Sequence, residues 1–280
     1  LPELPEVEAA RLIARRAAVG RRVTGVWCAD DPIVFDRVTP SQVRRALLGR
    51  RVVAIHRHGK HLWFELDRRP WPCLHFGMTG GFHVPGRRSV KLKSSGERPP
   101  APGWPPRFAK LRLTFDDGGE LVFADARRLG RVRLRHDPAG EPPISLLGFD
   151  ALRGIPSPLA FVELMRTRSA PIKAVLLDQS VAAGVGNWIA DEVLYQAGVD
   201  PRRRASSLTD AELRRVRDRI RSVVATAVRY NSDSDRFPRR WLFHDRWGKQ
   251  RALAMTSRGE RIRYATVGGR TTAWVPTVQR

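Results

Sequence analysis

A chain of 280 residues with 42% apolar side chains is long enough for one large or two moderate domains with filled cores. Its 51 Lys and Arg against 28 Asp and Glu give a net charge of +23, which points to a polyanionic partner, because each neutralised phosphate releases condensed counterions. Only Cys28 and Cys73 are present, outside any CxxC spacing, which excludes a disulfide framework or zinc site, and no run approaches the roughly 20 apolar residues that cross a bilayer.

A coding bias toward arginine is the competing explanation of the charge; the excess is net and not merely Arg-rich, which favours nucleic acid. The cysteines read as small buried hydrophobes of an intracellular protein. The start carries no basic region followed by an apolar signal core, so the mature chain is expected to begin at or next to Pro2.

Taken in order, acidic residues at Glu3, Glu6 and Glu8 precede Arg11, Arg15 and Arg16, which suits the dipole of a helix from about Glu6 to Ala18. Short apolar runs between turn residues follow, at Arg22–Trp27, Val52–Arg57, Leu62–Asp67, Trp71–Phe76, Lys110–Phe115, Leu121–Phe123 and Arg131–Arg135. They predict strands of a sandwich or barrel. One helix interrupts them, with Thr39 as N-cap, Pro40 at its first position and Gly49 ending it. Arg87–Pro106 has no hydrophobic period and is expected to be a long exposed loop.

A Pro/Gly-rich acidic stretch at Asp137–Pro143 suits a linker. Beyond it, Ser157–Arg166, Ile172–Gln179, Asn187–Gln196 and Thr209–Tyr230 have helical spacing, the last opened by a Thr209/Glu212 capping box. From Arg261 the pattern alternates on either side of Gly268-Gly269, as in a hairpin. The expected class is α+β: a two-layer β-sandwich over 1–136, a linker over 137–156, a helical domain over 157–240 and a hairpin finger over 241–280.

Five motifs carry chemistry: Pro2-Glu3-Leu4-Pro5-Glu6-Val7-Glu8; His58-Gly59-Lys60-His61-Leu62; His75-Phe76-Gly77-Met78-Thr79-Gly80; Asp125-Ala126-Arg127-Arg128-Leu129-Gly130; and Ile172-Lys173 with Gly184-Val185-Gly186-Asn187-Trp188. Singly they are weak. A Pro/Glu-rich start is ordinarily a helix entry, a lone lysine a solvated charge, and a methionine a gap filler. The glycine turn before Asn187 has a physical reading of its own, since it exposes amides at a helix N-terminus, where N–H groups and the dipole hold a phosphate.

In order and spacing over nearly the whole length, these motifs resemble the formamidopyrimidine-DNA glycosylase and endonuclease VIII family. The resemblance implies that Pro2 is the nucleophile, with Glu3 the acid that protonates the sugar ring oxygen and Glu6 a helper near the damaged base. The chemistry suits a terminal secondary amine, whose reference pKa of about 8 leaves a neutral fraction near neutrality. Lys60 matches a phosphate-gripping lysine with the catalytic set. His75 would contact phosphate, while Met78, Arg127 and Leu129 would fill the gap left by a flipped nucleotide. Leu129 stands where family members often carry Phe, which loosens the expected opposite-base preference. Lys110 falls where zinc-bearing relatives carry a phosphate-contacting His. Lys173 and Asn187 are matched as phosphate donors in a helix-two-turn-helix clamp, and Arg270, after Gly268-Gly269, as the arginine bridging phosphates around the flipped nucleotide.

Two departures qualify the match. With Leu1 retained, the Pro2 nitrogen would be an amide; the expectation is an initiator codon written literally as leucine and an initiator removed ahead of Pro2. No cysteine lies beyond Cys73, so the C-terminal segment resembles the zincless hairpin of plant and fungal members. No metal or other cofactor is expected. The short polar stretch Asn231–Pro238 replaces a longer loop that closes over 8-oxoguanine in relatives. Better activity is therefore expected on formamidopyrimidines and hydantoins than on 8-oxoguanine.

The leading reading is a monomeric base-excision glycosylase that cleaves damaged duplex DNA by β/δ-elimination, in the nucleoid or the nucleus and away from membranes. A DNA-binding scaffold of the same fold without catalysis is the alternative from another class. An RNA-binding protein is the third reading, weakened by the lack of an RNP-type aromatic motif.

Overall fold

The computed structural model describes residues 2–87, 90, 103–248 and 253–280. Most of the loop expected over Arg87–Pro106 lies outside these residues. The chain divides into two compact units, Leu1–Leu146 and Leu147–Arg280.

In the first unit, α1 (Leu4–Ala18) begins about half a turn before the expected Glu6. The reason is a reciprocal capping box, in which the Glu6 carboxylate accepts the Glu3 backbone N–H at 2.9 Å and the Glu3 side chain caps the amide of Glu6. Two four-stranded antiparallel sheets follow. One has the order β1 (Val23–Cys28), β6 (Ala109–Phe115), β7 (Glu120–Ala124), β5 (Gly81–His83); the other runs β2 (Val52–His58), β3 (His61–Leu66), β4 (Trp71–His75), β8 (Arg131–Arg135). Strand β5 was not expected: it is three residues long, too short for a period, and exists because it pairs with β7. Helix α2 (Pro40–Leu47) is capped by Thr39 and Gln42 as its sequence indicates.

The sheets share one core. Leu62, Phe64 and Leu74 from one and Phe82, Leu111, Leu113 and Phe123 from the other are buried together with Val7, Ala10 and Ala14 of α1. Each buried Phe or Leu contributes roughly 1.5–3 kcal/mol.

A buried ion pair fixes α1 on this sandwich. Glu8 accepts from Arg57 Nε of β2 at 2.7 Å and from Arg11 Nη2 at 2.7 Å, while Arg11 Nη1 donates to the Ile55 carbonyl at 3.0 Å. The Arg57 side chain is wholly buried. Burial opposes the Glu8 charge, but the two guanidinium groups outweigh it and hold the carboxyl below its ordinary range.

In the second unit, β9 (Phe149–Asp150) pairs in parallel with β10 (Ala182–Ala183), a contact of two residues with no sequence signal. The helices of this unit are α3 (Pro158–Arg166), α4 (Ile172–Leu177), α5 (Asn187–Ala197) and α6 (Asp210–Arg229), with α6 packed on α3 and α5. The Thr209/Glu212 capping box opens α6, and Leu213, Val216, Ile220, Val223, Val224 and Ala227 form its buried stripe. The closing hairpin is β11 (Arg263–Val267) and β12 (Arg270–Trp274), with Val267 opposite Arg270. Gly268 and Gly269 between them have φ of 59° and 70°, the left-handed pair that a two-residue hairpin turn requires. Among the described residues no helix is long and apolar enough to cross a membrane.

The Glu8→Ala variant is expected to lose about 3 kcal/mol of stability, because it strips a buried guanidinium of its carboxylate. Urea unfolding of the full chain measures this, and a loss within error of an exposed Glu→Ala control would refute it.

Candidate functional site

In the first unit, Pro2 is buried directly ahead of α1, and Glu3 and Glu6 are buried behind it, 2% and 8% exposed. The capping box couples these two acids through the backbone, so neither moves without unwinding the first turn. Lys60 lies in the tight turn between β2 and β3, where Gly59 takes φ 55°. Arg57 joins the two parts: its Nε donates to Glu8 on the helix, and its Nη1 donates to the Gly59 carbonyl at 2.9 Å. One guanidinium thus sets the turn carrying Lys60 against the helix carrying Glu3 and Glu6.

His75 ends β4 opposite His61, with ring centroids 4.7 Å apart. Desolvation, then the charges of Lys60, Arg133 and Arg131, push the His75 imidazole down to about 4; His61, half-buried beside it, falls to about 3. The Gly77 amide donates to His75 Nδ1 at 3.1 Å, so the neutral ring carries its proton on Nε2. A neutral N–H donor, not an imidazolium, is what this position offers.

The turn after β4 presents Met78, half-buried, and the loop between β7 and β8 presents Arg127 and Leu129, both exposed. They are locked together. A Cβ on Gly77, at φ 60°, would stand 2.4 Å from the Leu129 carbonyl carbon, so only glycine permits the approach. Beneath, the buried Asp125 carboxylate accepts from Thr79 Oγ1 at 2.8 Å and from the amides of Arg127 and Gly130 at 3.1 and 2.6 Å.

Lys110 Nζ is held by buried Asp31 at 2.7 Å, with its side chain 13% exposed.

In the second unit, α4 leads through Gly184, with φ 100°, to Gly186, which caps α5 without a side-chain cap. Gln179 shapes this turn by accepting from the Gly184 amide and donating to the carbonyls of Leu177 and Val185. Lys173, expected as a phosphate donor, is fully buried, with Nζ 2.6 Å from Asp191, 2.7 Å from Thr272 Oγ1 and 3.2 Å from the Thr271 carbonyl. Sequence pattern alone does not distinguish a lysine that meets phosphate from one that supports the element that does. Asn187 Nδ2 also donates to the Thr271 carbonyl, at 3.0 Å.

Asp191 is the centre of this arrangement. It is 1% exposed and meets Lys173, Arg246 Nη2 at 2.6 Å and the Ala273 amide at 3.1 Å. The hairpin is therefore bonded to α4 and α5 along β12, and Gly268 sits on α4, where an added Cβ would be 3.0 Å from that of Ala174. Arg270 is left exposed at the tip.

Models of the formamidopyrimidine-DNA glycosylase N-terminal domain and H2TH domain match residues 1–132 and 147–238. The chain belongs to the formamidopyrimidine-DNA glycosylase family. It is 41% identical to a formamidopyrimidine-DNA glycosylase of Arabidopsis thaliana over its whole length and 71% of that protein. To a Thermus thermophilus enzyme of that name it is 32% identical, covering all of this chain and 98% of the other. Among solved structures, MutM in complex with carbocyclic 8-oxo-G containing DNA has a TM-score of 0.82 at 25% identity, and wild-type Lactococcus lactis Fpg with N7-benzyl-Fapy-dG containing DNA has 0.80 at 25%, each covering both chains fully. The chain is accordingly a DNA glycosylase of base-excision repair.

No cysteine follows Cys73, so a cysteine-ligated zinc finger does not fit this C-terminal segment. The finger rests instead on an apolar cluster of Tyr195, Leu242, Ala254, Ile262, Ala273 and Val275. The Tyr195 hydroxyl adds a bond to Glu260 at 2.6 Å.

Sequence reading passed over Asp31 and Arg57 and gave no role to Glu8, Asp125 and Asp191 although they lie within its motifs; these residues fix the segments of each unit. Asp31 and Asp125 had a local signal, as side chains able to cap their own downstream turns.

Next to Asp191, Glu192 is buried, accepting from the Phe243 amide at 2.8 Å and Gln196 Nε2 at 2.7 Å. Burial pushes its carboxyl up from 4.5 to about 7. An acid whose folded value is raised contributes its full stability below the unfolded value and loses it as pH rises through the folded one. Wild type is therefore expected to lose more stability than Glu192→Gln between about pH 5 and about pH 8. Urea midpoints at both pH values decide it, and parallel changes in the two proteins would refute it.

Proposed function

We propose that the chain is a bifunctional glycosylase and abasic-site lyase, acting on duplex DNA that carries oxidised bases. The Pro2 secondary amine attacks C1′ while Glu3 protonates the ring oxygen, and the base leaves. Collapse of the opened sugar gives an iminium at C1′, which acidifies the C2′ proton; its removal expels the 3′ phosphate, and a second elimination expels the 5′ phosphate. Lys60 and Arg270 grip the backbone as cations, His75 donates from its neutral ring, and the α5 N-terminus with Asn187 holds a further phosphate. Met78, Arg127 and Leu129 fill the gap in the stack.

The observation carrying this reading is the joint immobilisation of Glu3, Glu6 and the Lys60 turn by the capping box and Arg57. Catalysis gains from such fixed geometry, because the groups are oriented before substrate arrives. The family's named relatives and DNA-bound neighbours support the substrate class.

Formamidopyrimidines and hydantoins are proposed as better substrates than 8-oxoguanine. Support comes from the segment after α6. Asn231 and Ser232 turn it sharply at φ 50° and 59°, and Phe237 packs into Trp188, Trp241 and Phe243. The segment folds inward instead of extending as a cover.

Borohydride with an abasic duplex is expected to trap wild type covalently, and an N-terminally acetylated chain not at all. Intact mass identifies residue 1, since only a chain starting at Pro2 has the free secondary amine. Equal trapping of the blocked chain would place the nucleophile on another amine and overturn the Pro2 mechanism, whereas no trapping of wild type would leave the DNA-binding scaffold. On matched duplexes, formamidopyrimidine is expected to be released at least about tenfold faster than 8-oxoguanine, a difference of about 1.4 kcal/mol in the barrier. Faster 8-oxoguanine release would overturn the lesion preference.

A further inference from the structure

The loop between β7 and β8 contains an unusual residue between Arg127 and Leu129. Arg128 has φ 56°, a left-handed conformation that costs a non-glycine residue roughly 1–2 kcal/mol. Something must hold it there. Its guanidinium makes a two-pronged bond to Asp31, Nε to Oδ2 at 3.0 Å and Nη2 to Oδ1 at 3.1 Å.

Asp31 is built as an anchor. It is 3% exposed, its Oδ1 also accepts the amides of Ile33 and Val34 at 3.2 Å each, and its Oδ2 accepts Lys110 Nζ at 2.7 Å. The anchor's own loop is pinned to β8, where the Val132 amide donates to the Val34 carbonyl at 2.7 Å and the Asp36 amide donates to the Val132 carbonyl at 3.1 Å. Burial disfavours the Asp31 charge, yet the bonds from Arg128, Lys110 and Val34 hold its carboxyl well below the usual range. The carboxylate is thus charged at any pH where the protein works. Asp125 fixes the two ends of the 125–130 loop, and Asp31 fixes its middle.

We propose that Asp31 is a positioning residue for opposite-strand recognition: by clamping Arg128 in the left-handed conformation, with Lys110 as counter-strut, it aims Arg127 and Leu129 at the strand facing the lesion. The inference rests on the DNA glycosylase reading and on the gap-filling role proposed for those two residues. It also gives Arg128 and Lys110 a positioning task through their shared acceptor Asp31. An arginine is suited to it, because a planar fork fixes orientation as well as distance.

The test is equilibrium binding of the full chain to duplexes containing a tetrahydrofuran abasic analogue opposite each of the four bases, read by fluorescence anisotropy. Wild type is expected to discriminate among the opposite bases, and Asp31→Asn to lose about tenfold of that discrimination, the scale of one good arginine–base contact. Circular dichroism checks its folding. Arg128→Gly and Arg128→Ala form the second pair: glycine accepts the left-handed conformation without strain and is expected to keep more discrimination than alanine. A merely structural ion pair would not produce that order.

Unchanged discrimination in Asp31→Asn, equal discrimination in the two Arg128 variants, or none in wild type would each overturn the proposal. Should Asp31→Asn fail to fold, the order of the Arg128 variants decides. Borohydride trapping of wild type is read separately, so failure of the Pro2 mechanism is distinguishable from failure of the clamp.

Discussion

A carboxylate removed from water costs several kcal/mol unless donors meet it, and in a chain of net charge +23 this constraint organises the site. Glu8, Asp31, Asp125 and Asp191 are each buried, and each lies beneath a segment that carries proposed DNA-contacting residues. Glu8 reaches the Lys60 turn through Arg57, Asp31 and Asp125 hold the loop of Arg127 and Leu129, and Asp191 holds the hairpin ending at Arg270. Because leaving any of them unmatched is costly, the segments above them have little freedom to move independently. The acids of this basic protein shape its cationic surface from within.

The same constraint divides the cations. Arg127 and Arg270 remain exposed and keep their charge available, whereas Lys173 and Lys110 are drawn inward by Asp191 and Asp31. A buried ammonium with three donors can tie several acceptors at once, and Lys173 does so with Asp191, Thr272 and Thr271. The histidines follow the opposite course. Half-buried and with cations nearby, His61 and His75 stay neutral, with their rings facing each other at a tilt.

A two-stranded hairpin is marginal on its own, and a metal centre is one way to stabilise it. Here the stabilisation comes from an apolar cluster, the Tyr195–Glu260 bond and the Asp191 hub. Distributing the task over several contacts makes the finger part of the helical unit. The position of Arg270 then depends on the packing of α4 and α5, not on ligand geometry within the finger.

Much of this protein is determined by local sequence. Helix starts at Thr39, Ser157 and Thr209, alternation along β3 and the Gly268-Gly269 turn are fixed by contacts among residues a few positions apart, and the structure reproduces them. The α+β class and the identity of the family were legible for the same reason, since their motifs are short and ordered. Tertiary structure alone decided which charges face outward. Asp31 meets Arg128 from 97 positions away and Asp191 meets Ala273 from 82, and no local period encodes such a pairing. Lys173, expected as a phosphate donor, is instead buried against Asp191, because burial and an opposite charge, both set by the folded chain, determine whether an ammonium faces water or protein.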